Sequence, residues 1–126
     1  MEKSGRIRCR VAACREASAD GSEWCFYLIN DGNAPLDSAV LYETSSEWGD
    51  FGNSSAADVH VSNLAPGAHA LIWRDDGEFR TELSLLVRAH EREVRLSFEF
   101  PKLYLQKNLT LVDAVGKRGW QVAAEG

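Results

Sequence analysis

Three cysteines are the residues of this chain most able to make and break bonds, and they are spaced Cys9-x4-Cys14-x10-Cys25. Structural zinc takes four thiolate or imidazole ligands, usually with two of them as a close C-x2-C knuckle. That knuckle is absent here, and alternation along a strand puts Cys9 on the face opposite to Cys14 and Cys25. Semi-buried thiols are therefore the better reading, and no metal is expected. A dithiol redox role would need Cys14 and Cys25 to sit across from each other in a hairpin. A two-residue turn at Asp20-Gly21 instead sets Arg15 opposite Phe26 and Ala13 opposite Leu28, two positions away from that pairing.

The other chemistry-bearing residues are scattered. His60 follows Asp58 on a short strand, His69 sits at the mouth of another, and His90 falls in a turn. No serine or cysteine occupies a nucleophile elbow, so the expectation is no enzyme and no cofactor. Asp75-Asp76-Gly77-Glu78, with Asp50 or Asp31 from other loops, offers oxygen ligands of the kind calcium takes. Asp-Gly is equally what a hairpin turn requires, and the turn is the stronger reading. Arg6, Arg8 and Arg10 form an outward row on the first strand, read as the charged guard of a sheet edge rather than a phosphate site.

The best candidate for binding is the stretch Glu47-Trp48-Gly49-Asp50-Phe51-Gly52-Asn53, in a loop expected over residues 46–57. Large aromatics in a loop either cap the open end of the core or anchor a partner. Packing is expected for Trp48, and exposure for Phe51 between Asp50 and Gly52. Tyr27 and Ile29, apolar residues pointing away from the main core, complete the candidate surface.

These residues are carried by segments of period two. Phe79, Thr81, Leu83, Leu85, Val87 and Ala89 alternate with polar residues, Leu86 excepted, as do Val94, Leu96, Phe98 and Phe100. Such alternation marks strands with one face on a core and one in water, and His90-Glu91 links the two as a hairpin. Ile7, Cys9, Val11 and Ala13 share a face with Trp24, Phe26 and Leu28 of the following strand. Further strands are expected over residues 36–45, 58–62 and 68–74, giving seven in a single domain over residues 1–126. The core strands lie between about residues 6 and 100. Residues 103–112 and 119–123 read either as a small extra hairpin or as an irregular tail.

The order strand, Asn30-Asp31-Gly32, strand, loop, then Leu64-Ala65-Pro66-Gly67 before another strand resembles bacterial immunoglobulin-like domains of the CARDB type. The likeness covers roughly residues 22–89. It implies an all-β, antiparallel immunoglobulin-like sandwich of about seven strands, used for adhesion, spacing or carrying other domains and without catalysis. Members of that family are usually exported and often tandem, whereas this chain shows neither an export signal nor a repeat.

Charge is unevenly placed. Residues 1–15 carry five basic side chains against one acidic, residues 16–78 twelve acidic against Arg74 alone, and residues 79–126 eight basic against six acidic. An acidic middle argues against nucleic acid or an anionic membrane as partner and suits a basic protein. The stretch MEKSGRIRCRVAACREA has no apolar core of a leader, and no run is long and apolar enough to cross a bilayer, so a cytoplasmic protein is expected. The function these features imply is a non-catalytic protein-interaction or structural domain. The alternative is a small-molecule or carbohydrate-binding module using the Trp48–Phe51 loop.

Overall fold

The computed structural model describes residues 6–18, 21–48 and 51–126. Nine strands follow in chain order: β1 (Arg8–Ser18), β2 (Gly21–Asn30), β3 (Leu36–Trp48), β4 (Phe51–Leu64), β5 (His69–Asp75), β6 (Arg80–Ala89), β7 (Arg92–Phe100), β8 (Thr110–Val112) and β9 (Lys117–Glu125). A 3-10 turn, Leu103–Leu105, lies between β7 and β8. The strands form two antiparallel sheets, ordered β5-β2-β1-β9-β8 and β4-β3-β6-β7. This is the all-β sandwich that the period-two segments require.

The inner faces meet as expected from parity. Val11, Ala13, Phe26 and Leu28 from one sheet and Leu41, Leu83, Leu85, Val87 and Phe98 from the other are fully buried in one cluster. Phe26 and Phe100 bridge the sheets edge to face, with ring centroids 5.0 Å apart, a favoured aromatic geometry.

Three expectations need correction. First, residues 46–48 and 51–57 are strand rather than loop, because β3 and β4 continue as a long hairpin to the pair Trp48–Phe51. The serine- and glycine-rich sequence lacks the apolar alternation that would have revealed it; the backbone ladder continues through it, joined by a Ser45–Ser54 hydroxyl contact at 3.3 Å. Second, the β1–β2 register pairs Ser18 with Gly21 and so brings Ala13 opposite Phe26 and Cys14 opposite Cys25. The shift is two residues, so every side chain keeps its face and the core pattern cannot distinguish the two registers. The C-terminal segment is the small extra hairpin rather than an irregular tail, and its strands β8 and β9 extend the five-stranded sheet. β9 pairs with β1 from Arg8–Glu125 to Cys14–Gly119, while β8 covers its far side. Third, β1 is therefore an interior strand, and its arginines guard no edge. Arg6 pairs with Glu125 at 2.7 Å, and Arg10 grips Asp31 through Nε at 3.0 Å and an Nη at 2.9 Å.

The β6–β7 hairpin follows expectation, with a costly turn. His90 and Glu91 hold φ of 56° and 60°, the left-handed conformation that a two-residue hairpin demands and Asn-Gly adopts more readily. Replacing His90-Glu91 with Asn-Gly should stabilise the fold by about 1 kcal/mol. An unchanged or lowered denaturant midpoint would show that these two side chains contribute interactions that offset the strain.

Candidate interaction cleft and the covered outer face

At the end of the sandwich where the β3–β4 hairpin reaches out, a cleft of about 640 Å³ opens. Ser45 and Ser46 of β3 and Ser54 of β4 form one side, Thr81 and Glu82 of β6 and Glu99 of β7 the floor. The far wall is Phe100, Pro101, Lys102, Leu105 and Gln106, at and around the 3-10 turn. Leu103 anchors that turn in the core at 1% exposure, leaving Tyr104 at 58% and Leu105 at 54%. The Tyr104 amide donates to the Gly77 carbonyl at 3.1 Å. Gly77 has φ of +76°, and a Cβ there would run into the Trp24 indole and lie 3.2 Å from Leu103 Cβ. Only glycine lets the β5–β6 turn and the 3-10 turn approach so closely.

Two basic residues, Arg80 and Lys102, and two acidic ones, Glu82 and Glu99, give the cleft lining balanced charge. Sequence reasoning missed this wall because residues 101–109 have no period and no motif. Its one legible signal was the run Leu103-Tyr104-Leu105, apolar residues in a stretch without strand alternation.

The candidate binding residues fall in different places. The Trp48–Phe51 backbone pair lies at the tip of the hairpin, two residues beyond the cleft-lining Ser46. Asp50 and the side-chain placements of Trp48 and Phe51 lie outside the described residues. Tyr27 and Ile29 do point away from the main core, but Ile29 is fully buried and offers no binding surface. The reason is the β8–β9 turn. Val112, Ala114 and Val115 fold over the outer face of the five-stranded sheet and pack on Ala12, Cys14, Ile29 and Tyr27 as a second, small core. Gly119 makes that crossing possible, since a Cβ there would lie 2.5 Å from the Ala13 carbonyl oxygen and 2.9 Å from Cys14 Sγ.

Tyr27 is half-buried at the margin of this small core. Its hydroxyl donates to Glu16 Oε2, which also accepts from Lys117 Nζ at 2.8 Å. Those two donors hold the Glu16 carboxyl below its usual range, Lys117 contributing most. Burial is the first cause, and the Glu16 hydrogen bond the second, of a Tyr27 phenol raised well above its ordinary value. A phenol kept neutral beside a salt-bridged carboxylate is a structural clasp joining β1, β2 and β9.

The acidic turn is also occupied by its own geometry. Asp75 accepts from the Asp76 amide at 2.8 Å and from Thr81 Oγ1 at 3.2 Å, while Asp76 accepts from the Glu78 amide at 3.0 Å. Burial, only partly opposed by the Asp76 amide, raises the Asp75 carboxyl. Asp31, the other proposed calcium ligand within the described residues, faces Arg10. Among the described residues no three His, Cys, Asp or Glu side chains converge as a metal site, and none of their helices is long and apolar enough to cross a membrane. His60 is exposed and pairs with Asp58 at 2.6 Å.

The class this architecture defines is the antiparallel two-sheet β-sandwich. No family model, curated protein or solved structure matches the chain.

Proposed function

We propose that the chain is a non-catalytic interaction domain, an immunoglobulin-like sandwich of the CARDB type, that takes hold of a protein partner at the cleft beside the β3–β4 hairpin. The observation that carries this reading is the cleft itself, with Leu105 held half-exposed against a polar floor. An apolar anchor ringed by serines and balanced charges is the composition of a small recognition patch, in which a few side chains supply most of the affinity. Trp48 and Phe51, at the adjoining hairpin tip, extend the same surface in this proposal.

The family part of the reading rests on strand partition. β1, β2 and β5 lie in one sheet and β3, β6 and β7 in the other, as in immunoglobulin-like sandwiches, with β4 on the side of β3 rather than beside β5. The proposed partner is basic, drawn by the acidic side chains of residues 16–78 other than Asp31 and Glu16, which face Arg10 and Lys117 within the domain. Cytoplasmic location belongs to the same proposal.

Leu105→Glu tests it. An exposed substitution should change stability by less than about 0.5 kcal/mol, yet remove from cross-linked source-cell extracts the protein that the wild type retains. Equal capture by both proteins would rule the cleft out. The second reading, a small-molecule or carbohydrate site, is favoured by a volume inside the usual range of about 300–1,000 Å³ for ligand pockets and by the hydroxyls of Ser45, Ser46, Ser54 and Thr81. Glycan-induced shifts in the amide spectrum at these positions, absent in Leu105→Glu, would select that reading instead.

A further inference from the structure

We infer that Cys14 and Cys25 are a paired dithiol that a small hydroperoxide converts into a cross-strand disulfide. The two residues are direct partners in the β1–β2 ladder, so they share the outer face of the sheet. Directly opposed residues in an antiparallel pair have Cα atoms about 4.5–5.5 Å apart, inside the span of about 4.4–6.8 Å that disulfides bridge. Both thiols are free. Cys9 faces the main core, on the other side of β1 and opposite Asn30, and cannot join them.

The setting selects the oxidant. Cys14 is fully buried and Cys25 is 3% exposed, and Val112 and Val115 lie in the cover over this part of the sheet. A charged tripeptide disulfide has no room there, whereas a hydroperoxide is about the size of one or two waters and uncharged. One thiolate attacks the peroxide O–O bond and becomes a sulfenic acid, and the oxygen that leaves takes up that thiol's proton. The second thiol then attacks the sulfenic sulfur, and the hydroxyl departs with the second proton as water. For hydrogen peroxide, two thiols and one peroxide give one disulfide and two waters, with two electrons transferred from sulfur to oxygen.

Burial raises the Cys14 thiol to about 11, against a smaller opposing pull from Lys117, and also raises Cys25. The reaction is therefore slow and stoichiometric rather than a turnover activity, and mildly alkaline buffer is the appropriate medium.

The full-length reduced protein is treated with hydrogen peroxide under native conditions, then unfolded, alkylated and analysed by intact mass and peptide mapping. The expected product is a monomer lighter by two hydrogens, with Cys9 as its one alkylated thiol and a peptide linking Cys14 to Cys25. Cys9→Ala should give the same linkage, and neither Cys14→Ala nor Cys25→Ala should lose the two hydrogens. Three alkylatable thiols, oxygen adducts without a linkage, a Cys9 linkage or a covalent dimer would each overturn the inference. The wild-type map decides even where an alanine variant fails to fold. The oxidised protein should also melt above the reduced one and return on reduction, because the linkage restricts the unfolded chain. A lower melting temperature would mean the bond strains the ladder, contrary to a paired site.

Discussion

Phe98→Ala should destabilise the protein by about 3–5 kcal/mol, the range found when a large aromatic is removed from a packed core. Phe98 is fully buried in the middle of β7, opposite Leu83 and between Leu96 and Phe100 on the same face. A loss of that size is a large share of the roughly 5–15 kcal/mol by which a small domain is stable, so the transition in chemical denaturant should move far. Ser97, exposed on the other face and opposite Ser84, supplies the control, and Ser97→Ala should shift the midpoint little. Coincident unfolding curves for the two variants would mean that β7 does not carry its apolar face inward.

Asn30→Ala should cost about 3 kcal/mol, from three lost hydrogen bonds at about 1 kcal/mol each, with more if the freed carbonyls stay dry. The side chain has no exposed surface. Its amide donates to the Ala34 carbonyl at 2.8 Å and the Leu64 carbonyl at 2.9 Å, and its oxygen accepts from the Gly32 amide at 2.9 Å. One side chain thus closes the 31–35 loop and ties the end of β2 to the end of β4. Asn30→Asp keeps the acceptor but aims a carboxylate at two carbonyl oxygens. Its folded-state pKa should rise above the unfolded value, so the variant should lose stability as pH rises through the unfolded value and recover it as pH falls below the folded one. A pH-independent difference from wild type would refute that placement of the amide. Asn30 carried a readable signal, since Asn-Asp-Gly marks a turn, but that motif says nothing about burial. Only the fold shows it as a buried polar anchor.

The strands around the main core were legible because burial on one face enforces period two. That requirement acts locally, residue by residue, and so leaves its record in β6 and β7 and in the shared face of Val11, Ala13, Phe26 and Leu28. The cleft was not legible, because Ser46, Glu99 and Leu105 become neighbours only when β3, β7 and the 3-10 turn are brought to one end of the sandwich. Ile29 and the cysteines show the division most clearly. The sequence by itself determined that Ile29, Cys14 and Cys25 face away from the main core, since parity follows from the pleat. Whether that face meets water was decided by the β8–β9 turn, whose Val112 and Val115 cover it from far along the chain. Whether Cys14 meets Cys25 was decided by a register shift of two. Such a shift preserves every inside-outside choice, so hydrophobic patterning is blind to it, and the ladder formed with both flanking strands fixes the pairing in space.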